Sequence, residues 1–423
     1  MQHMSESVFG GLCRIVGTSK QVAIRRETTD IADIASRHIQ SNRTNFFCAM
    51  LSGSLREGFR LRGSDVDIMC WLDSFRVITD VFQSECYDNL ENILLLSDSS
   101  ESPPGFTLLQ LLIPEMNEDV GMILAQIIYL QSIIVRMNEN FYISCSGMKE
   151  LLLSHPMNDI FPIIAHGPCA TAFIEGVGCD VAFCFVCDFW PTSALSWIDR
   201  CHSWPAPEIV DEIVRGGCHF VAIGHPFGLH ENMEWRISFS QAEQKCVYAM
   251  GHCQFLTYGL LKLFLKEVIN QQCEHTEEVL CSYHIKTAIL WVIQQNIISY
   301  WCPQNILVGF WVCFKLLLKW VYKGICPNFF IPQNNLFLTK VHGSAQNRLF
   351  LQLHELYKKG LACLLQSSSI RSYIIGVLYN PRLSICTNES IMRSEVDYDA
   401  DLVRESFNVS KKYNLCQITI FLV

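Results

Sequence analysis

Three aspartates of the chain have the types and the spacing to hold divalent metal ions. Asp65 and Asp67 are separated by one residue at the start of the apolar run Val66–Leu72, so they project from one face if that run is a strand. Two adjacent carboxylates repel each other unless a cation lies between them. Mg²⁺ accepts such oxygen ligands and completes its shell with water and substrate phosphates. The pair therefore predicts a metal site that handles phosphates, and a solvated strand edge is the alternative that the pattern leaves open.

Two further features fit the same chemistry. Asp180 opens a second apolar run, Asp180–Cys187, which is expected to lie beside the first and to supply a third carboxylate. Gly53 and Ser54 stand shortly before Asp65, where a glycine lets the backbone approach a triphosphate and a serine adds a hydroxyl and an N–H. Together these residues predict a two-metal site that activates a ribose hydroxyl and stabilises a leaving pyrophosphate.

The composition limits the classes of protein that can carry such a site. Of the 423 residues, 50% are hydrophobic and 17% are charged, which excludes a disordered chain and allows two or three domains. The net charge of −9 excludes a basic field over the whole molecule and leaves a local basic patch open. The apolar stretches Gly121–Val135 and Ile306–Phe314 are too short or too interrupted for a membrane span and predict buried core helices. Met1–Leu12 does not have the pattern of a secretory signal.

Hydrophobic periodicity predicts the elements that position these residues. A long helix is expected over Thr18–His38, and strands are expected over Phe46–Leu51, Val66–Leu72, Phe106–Ile113 and Gly176–Cys187. Further helices are expected over Gly121–Arg136, Ser240–Ile269, Ser282–Ile298, Ile306–Tyr322 and Arg348–Gln366. The pattern predicts an α+β first half joined near residue 205 to an α-rich second half.

The 21 cysteines are scattered and odd in number, which favours buried thiols in a reducing cytoplasm. Cys184 and Cys187 form a C-x-x-C inside an apolar run, where a strand would place them on opposite faces. A zinc site built from Cys201, His202, Cys218, His219 and His225 fits no usual ligand spacing. The sequence therefore predicts no structural zinc.

Several segments resemble one family of nucleotidyltransferases. The run GSLREGFRLRGSDVDIM over residues 53–69 resembles the signature of the male-abnormal (Mab-twenty-one-like) family, which includes cyclic GMP-AMP synthase and the animal cGAS-like receptors. Further similar segments follow in the family's order over roughly residues 15–365: Pro103–Thr107, His166–Cys169, Cys179–Phe183 before Trp190-Pro191, Glu234–Ser240, Ser282–Thr287 and Phe330–Phe337.

The resemblance implies a bilobal nucleotidyltransferase fold, with a mixed β-sheet lobe, a long spine helix and an α-helical C-terminal lobe. The expected domains are a nucleotidyltransferase core over 1–205, an HhH/H2TH-like C-lobe over 206–366 and a tail of unknown role over 367–423. It also implies site residues: Asp65, Asp67 and Asp180 as catalytic ligands of Mg²⁺ or Mn²⁺, and Gly53, Ser54, Arg236, Ser238, Lys262, Ser282 and Tyr283 as nucleotide-binding residues. The family often has Glu where this chain has Asp65.

The implied function is a cGAS-like receptor in the cytoplasm, acting in innate immune signalling. It would join ATP and GTP into a cyclic dinucleotide when a ligand such as double-stranded RNA binds, and a ligand-induced dimer is expected. The alternative is a non-catalytic family member that acts in development or signalling through protein contacts. The base identity, the linkage of the product and the activator are not fixed by the sequence.

Ordinary structural roles stay open for several of these residues. Tyr283 could be a core tyrosine and Ser282 a helix cap, and Arg236 could form a salt bridge. Three loop residues could steer triphosphates, contact a polyanionic activator or solvate the loop: Arg56, Arg60 and Arg62. Three helix residues could form an activator patch or belong to a mixed exposed face: Lys20, Arg25 and Arg26. The chain departs from the DNA-sensing member because it has no cysteine-rich insertion after His252-Cys253, and Gly224 or His225 replaces an expected basic residue.

Overall fold

The computed structural model describes residues 1–41, 47–61, 64–88, 91–113, 128, 130–153, 163–166, 169–174, 177–272 and 279–379. Internal contacts divide these residues into two compact units. The sheet unit comprises the described residues of Arg25–Ile198 and Glu208–Lys245. The helical unit comprises Met1–Ile24, Asp199–Pro207 and the described residues from Cys246 onward. The first 24 residues therefore belong with the second half of the chain.

The sheet unit is built on a mixed sheet of twelve strands within the described residues. Their order is β1-β2-β10-β11-β12-β5-β4-β3, with β9 beside β10, β8 beside β9, and the β6–β7 hairpin beside β5. The pairs β2–β10 and β3–β4 are parallel, and the neighbours β1 and β9 run antiparallel to β2 and β10. The strands are β1 Phe47–Ser52, β2 Val66–Leu72, β3 Phe75–Ile78, β4 Ile93–Asp98, β5 Phe106–Leu111, β6 Ile134–Met137, β7 Asn140–Ile143, β8 Ile163–His166, β9 Cys169–Ile174, β10 Val177–Cys187, β11 Cys218–Val221 and β12 Glu234–Ser238.

The centre of the sheet is buried because β2 and β10 carry apolar side chains on both faces. On one face, the Phe185 ring lies 5.4 Å from the Phe75 ring and 4.9 Å from the Trp235 ring. The other face carries a second buried cluster: Met50, Met69, Trp71, Ala182, Cys184 and Val221. Because alternate residues of a strand share a face, this second cluster continues directly from Asp67 and Asp180.

Six helices flank the strands of the sheet unit or link it to the rest of the described chain: α2 Ser19–Ser41, α3 Gly53–Arg56, α4 Cys145–Leu153, α5 Leu195–Asp199, α6 Pro207–Arg215 and α7 Ser240–Tyr248. The predicted long helix is confirmed as the 23-residue α2, and its role as a spine stays a prediction. At the start of α7, the Ser240 hydroxyl donates to Met69 Sδ over 3.0 Å, and Gln241 donates to Met50 Sδ over 3.4 Å. The start of α7 thus covers the apolar cluster beside the aspartates.

The helical unit packs its other described helices around apolar faces: α1 Gln2–Ile15, α8 His252–Phe264, α9 Ser282–Gln294, α10 Ile306–Lys323, α11 Gly343–Lys358 and α12 Arg371–Tyr379. The ring of Phe264 in α8 lies 5.1 Å from Phe310 and 5.5 Å from Phe314 in α10. α1 contacts α8, α10 and α12. Its Ser7 hydroxyl donates to the Tyr373 carbonyl over 2.7 Å, and Val8 and Leu12 are fully buried.

One described segment, Pro303–Lys323, is long and apolar enough to cross a membrane, and the bent pair Gly360–Gln366 and Arg371–Tyr379 would pass the same test as a single span. Half of the Pro303–Lys323 window is buried inside the structure. Its contacts with Phe264 agree with the core helix that the sequence predicts over Ile306–Phe314.

The end of one predicted helix differs from the structure. The helix expected over Gly121–Arg136 is wrong at its end, where Gln131–Ile133 is a 3₁₀ turn and β6 begins at Ile134; residues 121–127 lie outside the described part. The domain limits 1–205, 206–366 and 367–423 stay predictions, although internal contacts group residues 208–245 with the sheet and residues 1–24 with the helices. Most of the expected tail, from residue 380, also lies outside the described residues.

Candidate functional site

Asp67 and Asp180 are direct neighbours across two parallel strands. Asp67 is the second residue of β2, and its register partner in β10 is Asp180. Register partners project from the same face of a sheet, so the two carboxylates lie side by side although 112 residues separate them in the chain. Both side chains are partly exposed, whereas the residues that follow them on this face are buried. The structure therefore places a pair of carboxylates at the solvent end of an apolar sheet face.

The turn after β1 fits closely against one of these carboxylates. Ser52, the last residue of β1, is the register partner of Asp67. Gly53 follows with a φ of +65°, and a Cβ atom added there would lie 1.8 Å from Oδ2 of Asp67. Ser54 comes next in the short helix α3, where its carbonyl accepts from the Phe59 N–H over 3.1 Å. Because Gly53 has no side chain, the Asp67 carboxylate can occupy the space beside it.

Asp65 lies outside the strand that carries Asp67. It lies just before the first residue of β2 and is exposed, whereas Asp67 and Asp180 are half-buried. Within the described ranges, no three His, Cys, Asp or Glu side chains are arranged to hold a metal ion. Asp67 and Asp180 fit one hard cation that takes its other ligands from water and phosphate oxygens, because two adjacent carboxylates need a countercharge.

Arg236 and Ser238 lie on the same face of the sheet as the two carboxylates. Arg236 is the register partner of Val221, and Val221 is the partner of Cys184. Cys184 lies four residues after Asp180, so the alternation of side chains puts Arg236 on the carboxylate face. Ser238, two residues further along β12, shares that face. The structure thus brings two of the predicted nucleotide-binding residues to the face that carries Asp67 and Asp180.

The pKa of a neighbouring thiol depends on the charged side chains near this face. The pKa of Cys169 in β9 is raised to about 11, first by burial and then by the charges of Asp180 and Asp67. Arg236 and Lys149, a residue of α4, act in the opposite direction. The charges of two carboxylates and two basic side chains therefore act on one position of the sheet, and such a mixed field can bind the phosphates of a nucleotide together with a metal ion.

Two basic residues of α2 are hydrogen-bonded to the turn after α3. Arg25 is buried and donates to the Gly58 carbonyl over 3.4 Å, and Arg26 donates to the Glu57 carbonyl over 2.9 Å. The expectation of an exposed mixed face is therefore wrong for Arg25. These two bonds fasten the turn that follows α3 to the helix α2.

Arg56 makes the third link between α2 and the turn. Its Nη2 lies 2.8 Å from Asp30 Oδ1 and 3.1 Å from Asp33 Oδ2, and little of its side chain is exposed. The expectation of a solvated loop residue is therefore wrong for Arg56. Arg62 lies outside the described residues.

The three other predicted nucleotide-binding residues belong to the helical unit. Lys262 in α8 is buried, with its Nζ 5.3 Å from the centre of the Tyr258 ring. Ser282 is exposed as the first residue of α9, and Tyr283 is half-buried beside it. The Tyr283 hydroxyl accepts from Asn328 Nδ2 over 3.1 Å, and Lys286 Nζ lies 5.7 Å from its ring. The hydroxyl of Tyr283 is therefore fixed by a hydrogen bond, as in a structural residue. The side chain is only partly buried.

Two protein-family models match the chain over adjoining ranges. The Mab-21 protein nucleotidyltransferase domain matches residues 153–248, and the Mab-21 protein HhH/H2TH-like domain matches residues 253–355. The chain is thus similar to the two domains of the Mab-21 family over these ranges. The Mab-21 nucleotidyltransferase match contains Asp180, Arg236 and Ser238, and the HhH/H2TH-like match contains the three predicted residues of the helical unit. Gly53, Ser54, Asp65 and Asp67 precede both matches.

Sequence reasoning missed one residue that contacts the candidate site. The Thr171 hydroxyl lies 2.5 Å from Asp180 Oδ1 and donates a hydrogen bond to it. Thr171 stands in β9, whose antiparallel pairing with β10 makes Thr171 and Asp180 register partners. No motif marks a single threonine in a short apolar segment, so only the strand register could have revealed this contact.

Proposed function

We propose that the chain is a nucleotidyltransferase that joins ATP and GTP into a cyclic dinucleotide, with Mg²⁺ or Mn²⁺ at its site. The observation that carries the proposal is the register pair of Asp67 and Asp180, with Gly53 packed against the Asp67 carboxylate. A scaffold protein has no physical need for two adjacent, partly exposed carboxylates, because their mutual repulsion costs stability. The nucleotidyltransferase domain of the Mab-21 family supplies the reaction class.

The residues of the sheet unit have different roles in the reaction. Gly53 and Ser54 hold the triphosphate of the donor nucleotide, and Arg236 and Ser238 orient the acceptor. Asp67 and Asp180, with Asp65, hold the divalent ions, which when bound favour the deprotonated ribose hydroxyl and neutralise the leaving pyrophosphate. The ribose oxygen forms a bond to the α-phosphorus, the bond from that phosphorus to the β-phosphate oxygen breaks, and pyrophosphate leaves. A second such transfer closes the ring.

The proposal also gives roles to residues of the helical unit, to an activating ligand and to the product. Tyr283 stacks on a nucleobase, and Ser282 and Lys262 contact the nucleotide. An activating ligand, double-stranded RNA, switches the activity on in the cytoplasm and brings two copies together. The product then serves as a second messenger in innate immune signalling.

A second candidate is a Mab-21 protein that binds nucleotide without catalysis and acts through protein contacts. The exposure of Asp65 favours it, because no three metal-ligating side chains are grouped to hold an ion among the described residues. Two carboxylates are enough to hold one cation with a nucleotide, whereas a two-metal reaction needs ligands for both ions.

Mass spectrometry of reaction products separates the two candidates. The purified chain is incubated with all four nucleoside triphosphates and Mg²⁺ or Mn²⁺, with and without double-stranded RNA or DNA. Asp67→Asn and Asp180→Asn remove one carboxylate each from the pair. Asp211→Asn makes the same charge change on the exposed surface of α6 and is the matched control.

The proposal predicts a cyclic dinucleotide from the wild type and from Asp211→Asn, and a loss of at least about a hundredfold in both site variants. Unchanged product from Asp67→Asn or Asp180→Asn would overturn the roles given to these residues. Nucleotide binding without product under every condition would favour the second candidate.

A further inference from the structure

One row of side chains crosses four neighbouring strands at the candidate site. Ser52 in β1 is the register partner of Asp67, Asp67 of Asp180, and Asp180 of Thr171 in β9. Because register partners share a face, the row reads hydroxyl, carboxylate, carboxylate, hydroxyl. The carboxylate pair therefore has a hydroxyl residue at each end.

The hydrogen bond at one end of this row is short. Thr171 Oγ1 lies 2.5 Å from Asp180 Oδ1, within the range of a hydroxyl that donates to an ionised carboxylate. The β-branch of threonine restricts the rotation of its side chain, and its place in the ladder between β8 and β10 fixes its backbone. The donor therefore comes from a fixed direction and holds the Asp180 carboxylate in one rotamer.

We propose that Thr171 is a positioning residue that makes Asp180 a one-oxygen ligand and so selects the divalent cation. The proposal rests on the proposed function, because it concerns the cation of that same site. The hydrogen bond takes one lone pair of Asp180 Oδ1 and leaves both lone pairs of Oδ2 for the cation. Mg²⁺ and Mn²⁺ accept single carboxylate oxygens in octahedral shells, whereas Ca²⁺ is larger and readily takes both oxygens of a carboxylate. A carboxylate whose Oδ1 is already held by a hydrogen bond is a weaker two-oxygen ligand, which disfavours Ca²⁺.

Two substitutions at Thr171 and one elsewhere in the sheet separate this role from a structural one. Thr171→Val keeps the β-branched shape and removes the hydroxyl, and Thr171→Ser keeps the hydroxyl. Thr107→Val is the matched control: Thr107 is a buried residue of β5 in the same sheet, whose hydroxyl lies 2.8 Å from Ser97 Oγ. Circular dichroism and thermal melting establish that each variant is folded.

The test measures cation binding directly. Binding of Mn²⁺ is followed by electron paramagnetic resonance with a non-hydrolysable ATP analogue present, and Ca²⁺ is added as competitor. We expect Thr171→Val to weaken Mn²⁺ binding about tenfold and to let Ca²⁺ compete at a lower concentration, since partners that orient a metal ligand are typically worth 10- to 100-fold in affinity. Thr171→Ser should stay within about threefold of the wild type, and Thr107→Val should bind as the wild type does.

The outcomes distinguish the proposed role of Thr171 from the proposed nucleotidyltransferase activity. A Thr171→Val variant with wild-type Mn²⁺ affinity and wild-type Ca²⁺ competition would overturn the role of Thr171, whether or not the chain makes a dinucleotide. Mn²⁺ binding that depends on Thr171, in a chain that makes no product, would keep this inference and overturn the catalytic proposal. A wild-type chain that binds no Mn²⁺ beside the nucleotide would overturn both.

Discussion

A Cβ atom on Gly53 would lie 1.8 Å from Oδ2 of Asp67, well inside the contact distance of carbon and oxygen. The turn that follows β1 and the carboxylate on β2 are therefore fitted to each other, and no residue with a side chain can stand at position 53 without displacing Asp67. The φ of +65° at Gly53 adds a second reason for glycine there.

Gly53→Ala should abolish nucleotidyl transfer and weaken nucleotide binding by at least about tenfold, because the added methyl group moves Asp67 away from Asp180. Gly343→Ala and Gly360→Ala are matched controls: both residues have a positive φ, and a Cβ there meets no atom within 4 Å. All three variants should lose about 1 kcal/mol of unfolding free energy from the backbone conformation. Product assays and urea denaturation check the pattern, and equal activity in all three variants would contradict it.

The ion pairs of Arg56 should differ in their contribution to stability. The side chain of Asp33 is 12% exposed and that of Asp30 is 41% exposed, while Arg56 itself is 11% exposed. Asp33→Asn should therefore lower the free energy of unfolding by about 2 to 3 kcal/mol, because it leaves a nearly buried guanidinium short of a partner. Asp30→Asn should cost less than about 1 kcal/mol, since solvent screens the exposed pair. Urea denaturation of both variants measures the difference, and equal costs would contradict the prediction.

Glu267 should make the stability of the helical unit depend on pH. Burial raises the pKa of its carboxyl, but hydrogen bonds from Ser367, Ser369 and Ser368 outweigh burial and leave the pKa below its ordinary value. A lowered pKa stabilises the folded state at pH values above the pKa of the unfolded chain, and this contribution is lost as the pH falls through the folded pKa. Glu267→Gln should therefore cost about 1 to 2 kcal/mol near pH 7 and much less near pH 3.

Thermal melts across this pH range measure the effect of Glu267. Glu355→Gln is the control, because Glu355 forms an exposed pair with Lys358 on α11 and its loss should leave the melting temperature near pH 7 unchanged. The prediction fails if the Glu267 variant and the wild type differ by the same amount at both ends of the range.

Cys281 should react with alkylating reagents at neutral pH. Its surroundings desolvate the sulfur and raise its pKa, but a hydrogen bond with His284 and backbone N–H groups at the start of α9 outweigh this and bring the pKa down to about 7. The residue as a whole is exposed, and a thiol with a lowered pKa is more reactive at neutral pH. The rate of labelling by iodoacetamide, followed by mass spectrometry, should reach half its maximum near pH 7 and should decrease at lower pH.

Two further measurements test the origin of this reactivity. His284→Asn should move the midpoint of Cys281 labelling to higher pH, because the thiolate loses its ring partner. Cys86, the other exposed cysteine among the described residues, provides a reference rate in the same sample. A midpoint that does not move in the His284 variant would show that the ring has no part in lowering the pKa.

Much of the fold could be predicted because long periodic or apolar segments carry a strong signal. β2 occupies the predicted range Val66–Leu72, and α2, β10 and α10 lie within a few residues of their predicted limits. The helix predicted up to Arg136 is wrong over residues 131–136, because a short apolar run fits a buried strand as well as a buried helix. Residues 208–245 were expected with the C-terminal half because helices follow them, but β11 and β12 pair with β10 and β5 in the sheet.

The candidate site was less predictable than the fold. The alternation of side chains along a strand predicts that Asp65 and Asp67 share one face. It does not predict that β2 begins only at Val66 and that Asp65, before it, is exposed. The pairing of Asp67 with Asp180 requires the register of two distant strands, and the contact of Thr171 requires a third. The bonds of Arg56 also depend on tertiary packing, because a charged residue in a loop has the same sequence pattern whether it is solvated or paired.

The membership of α1 in the helical unit has a consequence for synthesis on the ribosome. Val8 and Leu12 of α1 are fully buried, yet their partner helices α8, α10 and α12 begin more than 230 residues later in the chain. At roughly 5 to 20 residues per second, the nascent α1 waits about 10 to 50 seconds before the first of these helices emerges. During that time its apolar face lacks the helices that bury it in the folded chain, and slower translation of the intervening sheet lengthens the exposure.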